Sequence, residues 1–117
     1  MNIKPRQYKY LSNRERKALG LLVSRLKSTL GDNIIMIKFF GSKLRGDHSQ
    51  DSDIDVFLVI KERNVEISDK IAEIHFNVDL EYNTNISLII LSEHEFNINK
   101  NFDTPFIENV LTEGISL

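Results

Sequence analysis

Hydrophobic residues recur along the first third of the chain at the spacing of one helix face. The apolar positions between residues 13 and 30 are Leu19, Leu22, Val23, Leu26 and Leu30. Intervals of three and four residues predict a helix from Asn13 to Leu30. Ser12 followed by Glu15 matches a capping box at its start, and Gly31 predicts a left-handed cap at its end.

Three later segments are instead continuous apolar runs, which predict strands. The runs extend from Ile34 to Phe40, from Ile54 to Ile60 and from Ile86 to Leu91, and they are rich in β-branched and aromatic residues. The second run is apolar at nearly every position after Asp55. That pattern predicts a strand that is covered on both faces.

Two further helices are expected around these strands. Ser68 predicts the cap of one, with Asp69 in its first turn and a buried stripe of Ile71, Ile74 and Val78. A last helix is expected from Thr104-Pro105 to Gly114, because proline favours the first helical position. Its inward residues are expected to be Phe106, Ile107, Val110 and Leu111. The order helix, strand, strand, helix, strand, helix predicts an α/β (α+β) fold, with a small mixed β-sheet flanked by helices.

Composition limits the function classes. The 117 residues suit one domain, residues 1–117, and the absence of cysteine excludes disulfides and thiolate metal sites. Without an apolar run of membrane-spanning or signal-peptide length, we expect a soluble, cytoplasmic protein that has no contact with membranes. The net charge of −2 argues against general nucleic-acid binding. Residues 1–11 are locally basic, and they are expected to form a flexible segment or one that contacts a partner.

Asp53 and Asp55 are the first candidates for chemistry. Side chains two apart on a strand point to the same face, with Cα atoms about 7 Å apart. Two carboxylates so placed can hold one Mg²⁺, which completes its coordination with water and phosphate oxygens. Without a cation they repel, and one pKa should rise. The alternative is a pair of exposed acids at a loop-to-strand junction.

A glycine-containing turn precedes the two aspartates. Gly41-Ser42 stands where the first strand is expected to end, so the backbone and the serine hydroxyl can approach a phosphate. Lys43 and Arg45 follow within one turn, where a cation can neutralise phosphate charge, and Gly46 ends the turn. The sequence therefore predicts a phosphate-binding turn next to a carboxylate pair.

These residues resemble the Gly-Ser…Gly…Ser-Asp-x-Asp signature of the DNA polymerase beta-like nucleotidyltransferase superfamily. The matching positions are Gly41, Ser42, Gly46, Ser52, Asp53 and Asp55. The chain is most similar to the minimal nucleotidyltransferases of bacteria and archaea, several of which pair with HEPN-domain proteins. The resemblance implies a polymerase beta palm-like fold, Mg²⁺, and ATP or another nucleoside triphosphate. It also implies transfer of a nucleotidyl group, expected to be AMP, to a hydroxyl, which in some relatives belongs to the partner protein.

The resemblance also implies roles for individual residues. Asp53 and Asp55 are the expected catalytic residues and metal ligands. The expected nucleotide-binding residues are Gly41, Ser42, Lys43, Arg45, Gly46 and Ser52. A HEPN-type protein or a second copy of the chain is the expected partner.

The chain departs from the family pattern at one position. Many active members carry a third carboxylate on the next central strand, and here that position falls on Ser87, or on Asn85 if the register slips. Glu81 or Glu93 could substitute, although both lie off the strand. The alternative function is therefore a weakly active or inactive nucleotide-binding subunit, such as the antitoxin of a HEPN-type complex.

Other candidate residues carry weaker signals. Asp47 and Asp51 are expected to be exposed in the loop, where the glycine and glutamate of a calcium-binding loop are missing. His48 lies in the same loop and is either a phosphate contact or a surface residue. His75 is expected to serve packing or to lie at the surface. No glycine-rich P-loop is present in the sequence.

Overall fold

The computed structural model describes residues 5–47, 49, 52–102 and 104–117. The helices are α1 (Asn13–Leu30), α2 (Ser42–Arg45), α3 (Val65–Tyr82), α4 (Glu93–Asn101) and α5 (Pro105–Glu113). The strands are β1 (Ile34–Phe40), β2 (Ile54–Ile60), β3 (Ile86–Ser92) and β4 (Ile115–Ser116). Short 3₁₀ turns occupy Pro5–Tyr8 and Gly31–Asn33. Among the described helices, none is long and apolar enough to cross a membrane.

The strands form one mixed sheet in the order β3-β2-β1-β4. Strand β2 pairs antiparallel with β1 and parallel with β3, whereas β4 pairs antiparallel with β1 at the edge. The predicted bounds of β1 and β2 are confirmed, and β3 is one residue longer than expected. The small mixed sheet flanked by helices is the predicted fold class.

Helices cover both faces of the sheet. Val56, Leu58 and Ile60 of β2 belong to the core cluster shared with α1 and α3. Phe57 and Val59 point to the opposite face, where they pack with residues of α4 and α5. Residues 56–60 are all fully buried, which confirms the prediction of a strand covered on both sides.

Helix α1 has the predicted bounds. Ser12 and Glu15 form the expected capping box, with the Ser12 hydroxyl accepting from the Glu15 amide. The end of the helix differs from the expectation in its conformation. Gly31 has φ 51° and ψ −126°, so its φ is positive but its backbone lies outside the left-handed helical region.

Helix α3 begins earlier than predicted. Its N-cap is Asn64, whose side chain accepts a hydrogen bond from the Ile67 amide, and its first-turn acid is Glu66. The assignment of Ser68 as cap and Asp69 as first-turn acid was therefore wrong. Asn64 has the extended backbone and the short polar side chain that an N-cap requires, and Ser68 already lies inside the helix.

Helix α4 was not predicted at all. Ser92 and Glu95 form a second capping box at its start, but its nine residues bury only Phe96. The spacing of Ser92 and Glu95 is the same capping-box signal that predicted the start of α1, and it was overlooked here. Helix α5 has the expected bounds, and Ile107 and Val110 are buried as predicted. Phe106 is packed inward only in part: its ring contacts the buried Phe57, but 42% of the residue is exposed.

The N-terminal segment packs against the core at two described positions. Tyr8 and Leu11 are 5% and 4% exposed, and the Tyr8 ring stacks on Phe39 with centroids 5.6 Å apart. The guanidinium of Arg16 donates two hydrogen bonds to the Tyr8 carbonyl at 2.8 and 3.1 Å. Tyr8 and Leu11 therefore belong to the packed fold, whereas a partner contact by residues 1–11 stays a prediction. Residues 1–4 lie outside the described residues.

Candidate functional site

Asp53 and Asp55 lie at the start of β2, where the sheet ends. Asp55 pairs with Phe40 across the antiparallel β1–β2 ladder, so it stands beside the last residue of β1. Alternation along β2 directs Asp55 to the same face as Phe57, which is the face covered by α4 and α5. Both aspartates are partly exposed. Asp55 is therefore accessible from the α5 side of the sheet end.

The electrostatics of the pair disfavour two negative charges. Partial burial raises the pKa of Asp55, the negative charge of Asp53 raises it further, and the positive charge of Arg45 opposes both effects. The direction is the one predicted for two carboxylates on one face, but burial is a larger cause than the neighbouring charge. A divalent cation bound between them would relieve the repulsion, and carboxylate oxygens are the ligands that Mg²⁺ prefers. The donor set of the two residues therefore fits Mg²⁺.

Asn85 forms a hydrogen bond with Asp53. Its Nδ2 donates to Asp53 Oδ1 at 2.5 Å, from the residue just before β3. The Ile54 amide donates to the Asn85 carbonyl at 3.0 Å, which fixes the backbone of the two strand starts together. One oxygen of Asp53 is thus oriented by an amide.

Gly41 connects β1 to α2 in a conformation that only glycine adopts without strain. Its φ is 88° and its ψ is −164°. A Cβ at this position would lie 2.9 Å from Cγ of Asp55, and it would meet the carboxylate itself even more closely. The absence of a side chain therefore lets the carboxylate of Asp55 lie directly against the turn.

The turn continues into the short helix α2, which Ser42 begins. Leu44 and Arg45 donate their amides to the Gly41 carbonyl, both at 3.1 Å. Gly46 ends the turn in the left-handed conformation, with φ 94° and ψ 7°. A Cβ on Gly46 would lie 2.7 Å from a ring carbon of Tyr10, so this glycine is needed for close packing of the N-terminal segment.

Arg45 lies between three carboxylates. Its Nε donates to Asp47 at 3.2 Å and its Nη1 to Glu113 at 3.4 Å, and its charge acts on Asp55. Because the guanidinium has five N–H donors, these two contacts leave others for a ligand. Both contacts keep the cation at the mouth of the turn.

One cavity brings these residues together. It has a volume of about 320 Å³. Its lining residues from the strand ends and α2 are Phe40, Gly41, Ser42, Arg45 and Asp55. Helix α5 supplies the opposite wall, which consists of Phe106, Asn109, Val110 and Glu113. The volume is at the lower end of the range for small-molecule sites.

Lys43 lies on the other side of α2. It is only 7% exposed, and its ammonium donates a hydrogen bond to Glu15 of α1. Its place is in a second cavity, of about 360 Å³, to which Ser52 and Asn85 also belong. Of the predicted nucleotide-binding residues, Gly41, Ser42 and Arg45 therefore share a cavity with Asp55, while Lys43 and Ser52 line the neighbouring one. Gly46 and the predicted metal ligand Asp53 line neither of these two cavities.

Ser87 occupies the place of the third carboxylate. In the parallel register of β2 and β3, Asp55 pairs with Ser87. The two proposed substitutes point elsewhere: Glu81 forms an ion pair of 3.8 Å with Arg25 of α1. Glu93 follows the far end of β3, six residues and roughly 20 Å from Ser87. Among the described residues, no group of three or more His, Asp or Glu side chains could hold a metal ion.

The remaining candidates lie away from this site or outside the described residues. Asp47 is exposed, as expected, and contacts Arg45. His75 packs against the sheet, with its Nε2 atom 2.6 Å from the Ile86 carbonyl and 3.0 Å from Asp79. His48 and Asp51 fall outside the described residues.

Sequence reasoning missed the contribution of α5. Phe106, Asn109 and Glu113 are spaced by three and four residues, which places them on one helix face, and all three line the cavity. That spacing is visible in the sequence, but its meaning depends on the crossing of α5 over the end of β1. Asn85 was considered only as a replacement for an acid, and its bond to Asp53 needs the three-dimensional structure.

Comparison with known protein families identifies the class of the chain. Residues 24–117 match the family described as "Polymerase beta, Nucleotidyltransferase". The match includes β1, α2, β2 and all later elements, and therefore both aspartates and the Gly41-Ser42 turn.

Individual relatives agree with this assignment. Two proteins of Methanocaldococcus jannaschii, each named "Putative protein adenylyltransferase", are 37% and 31% identical to the chain over 100 and 93 residues. These matches cover 86% and 79% of this chain, and 94% and 87% of the two relatives. A crystal structure of a "putative nucleotidyltransferase" from Sulfolobus solfataricus superposes with a TM-score of 0.50 at 21% identity. That superposition covers 99% of this chain and 89% of the other, and it supports the fold.

Proposed function

Because the chain belongs to the polymerase beta nucleotidyltransferase family, we propose that it is a Mg²⁺-dependent enzyme that transfers AMP from ATP to a hydroxyl group. The single observation that carries this proposal is the shared cavity of Gly41, Ser42, Arg45 and Asp55. It combines a carboxylate with a glycine-containing turn and a cation, which are the groups that a metal-bound triphosphate needs.

The carboxylates and the turn have separate tasks in this proposal. Asp53 and Asp55 would hold Mg²⁺, which would supply positive charge to offset the negative charge that develops on the phosphates during transfer. The Ser42 hydroxyl and the Arg45 guanidinium bind the β- and γ-phosphates. Asn85 keeps Asp53 oriented through its amide. The raised pKa of Asp55 supports a cation at this position, since Arg45 only partly offsets the effects of burial and of the Asp53 charge.

The reaction itself is an in-line displacement. The acceptor oxygen forms a bond to the α-phosphorus, the bond from the α-phosphorus to the bridging oxygen breaks, and pyrophosphate leaves with that oxygen. The hydroxyl proton passes to a carboxylate of the site or to solvent. The names of the two archaeal relatives favour a hydroxyl on a protein as acceptor. A HEPN-type partner or a second copy of the chain would supply it.

A second candidate function follows from Ser87. Its hydroxyl stands beside Asp55 where a third carboxylate would complete the site, and a serine does not act as a base at neutral pH. The alternative is therefore a nucleotide-binding subunit with little turnover, for example the antitoxin of a HEPN-type complex. The two proposals share the nucleotide site and differ in catalysis.

Calorimetry with an ATP analogue that is not cleavable between the α- and β-phosphates tests the shared part. We expect Mg²⁺-dependent binding by the wild type and its loss in Asp53→Asn/Asp55→Asn. If the double variant binds the analogue as the wild type does, the site lies elsewhere. Transfer of labelled AMP onto co-purifying protein then separates the enzyme from the inactive subunit.

A further inference from the structure

Helix α5 supplies a wall of the cavity that has no task in the chemistry proposed above. Phe106, Asn109 and Glu113 line it from one side, opposite Ser42 and Arg45. Intervals of three and four residues place the three side chains in one row along the helix. The row spans about 10 Å, because seven residues of α-helix rise by that distance.

Phe106 is an aromatic side chain that is held in place yet remains open to the cavity. Its ring stands nearly perpendicular to Phe40, at 5.8 Å and 80°, and to Phe57, at 6.0 Å and 68°. Even so, 42% of the residue is exposed. A ring that is fixed by two neighbours and open on another side provides a platform on which a nucleic-acid base can stack.

Asn109 lies one turn further along the same face. It is exposed, and its amide carries both a donor and an acceptor. This pair of groups is complementary to the edge of adenine, which also presents a donor next to an acceptor. Glu113 ends the row at Arg45, to which it is bound at 3.4 Å. The wall thus changes from aromatic to polar to charged in the direction of Arg45.

We propose that Phe106 and Asn109 form the nucleoside subsite, in which the base stacks on Phe106 and Asn109 hydrogen-bonds its edge. The subsite rests on the proposed function, because it places the base in the cavity whose other wall binds the phosphates. A nucleotide lying along α5 has its base at Phe106 and its terminal phosphates at Arg45. The helix therefore selects a nucleoside triphosphate over inorganic polyphosphate.

The test compares two ligands that share the triphosphate and differ in the nucleoside. Calorimetry measures binding of the non-cleavable ATP analogue and of inorganic tripolyphosphate, both with Mg²⁺, to wild type, Phe106→Ala and Asn109→Ala. We expect each variant to weaken analogue binding, at least fivefold for Phe106→Ala, and to leave tripolyphosphate binding unchanged. Phe102→Ala is the matched control, because Phe102 is 78% exposed and lies outside the cavity. It should bind both ligands as the wild type does.

A second measurement covers the case in which Phe106→Ala does not fold. The chain contains no tryptophan, so Phe106→Trp introduces a single tryptophan into the subsite, and excitation at the red edge of its absorption avoids the three tyrosines. We expect the Mg²⁺-bound analogue to quench its fluorescence and tripolyphosphate to leave it unchanged, with no response to either ligand in Phe102→Trp.

The outcomes separate this subsite from the function on which it rests. If the wild type binds tripolyphosphate and the analogue equally well, or if Phe106→Trp gives no response to the analogue, the subsite is overturned while the phosphate site stands. Equal weakening of both ligands by Phe106→Ala also overturns it. If the wild type binds neither the ATP analogue nor tripolyphosphate, the proposed function is overturned, and so is the subsite that rests on it.

Discussion

Ser87 of β3 stands directly beside Asp55 of β2 in the parallel register of the sheet. Adjacent strands are about 4.8 Å apart, so a carboxylate at Ser87 would lie within reach of a cation held by Asp55. Alternation places Ser87 on the same sheet face as Ile89 and Leu91, which pack with Phe57 of β2. The sheet thus offers a position for a third acid, and the chain fills it with a hydroxyl.

Restoring that acid should strengthen the metal site. We expect Ser87→Asp to tighten Mg²⁺ binding and to raise AMP transfer by at least tenfold, since a positioned base typically contributes about 10²–10⁴ in rate. Without metal, the added charge should destabilise the variant through repulsion by Asp55. Melting temperatures in EDTA and in Mg²⁺ measure both effects, and the rise on adding Mg²⁺ should exceed that of the wild type.

Ser116→Asp serves as the control for Ser87→Asp. Ser116 is an exposed serine in the edge strand β4, so its replacement adds the same charge without a neighbouring aspartate in the sheet. We expect its response to Mg²⁺ to equal that of the wild type. An Mg²⁺ response of Ser87→Asp no larger than that of Ser116→Asp would contradict a metal at Asp53 and Asp55.

Alanine substitutions at Gly41 and at Gly31 test whether the turn before α2 needs a glycine for nucleotide binding, with Gly31 as the control. Both have positive φ, but a Cβ on Gly41 would collide with Asp55, whereas a Cβ on Gly31 would meet nothing within 4 Å. We expect alanine at either position to destabilise the fold by about 1–3 kcal/mol through backbone strain. Only Gly41→Ala should abolish nucleotide binding as well, because it displaces the carboxylate of Asp55. Urea unfolding and calorimetry give the two readouts, and loss of binding in Gly31→Ala would refute this distinction.

Local patterns were enough to predict the elements that carry the motif. The bounds of β1 and β2 follow from continuous apolar runs, and the placement of Asp55 beside Gly41 follows from the pairing of those two strands. Helix α4 buries only Phe96, so it offered no apolar stripe, and the local signal that it does carry, the Ser92–Glu95 capping box, was overlooked. The cavity wall formed by α5 could not be predicted, because it depends on where the whole helix crosses the sheet.

Lys43 shows where a motif alone is insufficient. Its place in the phosphate-binding turn suggested a phosphate contact, but the side chain runs back to α1 and donates to Glu15. One side of the turn faces the cavity with Asp55, and the other faces α1. The Lys43 side chain lies on the α1 side because it donates to Glu15, which is 28 positions away in the sequence. Only the tertiary structure reveals that partner.

Removing the Lys43 ammonium should therefore lower the free energy of unfolding. Glu15 uses one oxygen for the Ser12 cap and the other for Lys43, so Lys43→Met leaves a largely buried carboxylate with one partner. Removing one partner of a buried pair costs about 3–5 kcal/mol, and we expect the lower end of that range because Glu15 is partly exposed. The control Lys70→Met breaks an exposed pair with Glu66 on α3 and should change stability by less than about 0.5 kcal/mol. Equal unfolding midpoints for the two variants in urea would rule out this role of Lys43.

The same pair predicts how stability depends on pH. Burial raises the pKa of Glu15, but hydrogen bonds from Lys43 and from the Ser12 amide outweigh it and lower the pKa below 4.5. A lowered carboxyl pKa means that the contribution of Glu15 is present above pH 4.5 and is lost as the pH falls through the folded-state pKa. The difference in unfolding free energy between wild type and Glu15→Gln should therefore narrow below that pH. A difference that stays constant from pH 7 to pH 3 would argue against the ion pair.

Asp55 should behave in the opposite way to Glu15: its negative charge should lower the free energy of unfolding when no metal is bound. Burial and the neighbouring Asp53 raise the pKa of Asp55, so its ionised form is disfavoured in the folded chain at neutral pH. We expect Asp55→Asn to stabilise the protein in EDTA by about 0.5–1 kcal/mol and to abolish Mg²⁺-dependent nucleotide binding. As the pH falls through the raised pKa, the wild type loses this repulsion and the two proteins should converge. Asp32→Asn, at an exposed acid outside the site, should change neither property. A lower stability of Asp55→Asn than of the wild type in EDTA would show that the Asp55 carboxylate stabilises the metal-free fold, which contradicts this prediction.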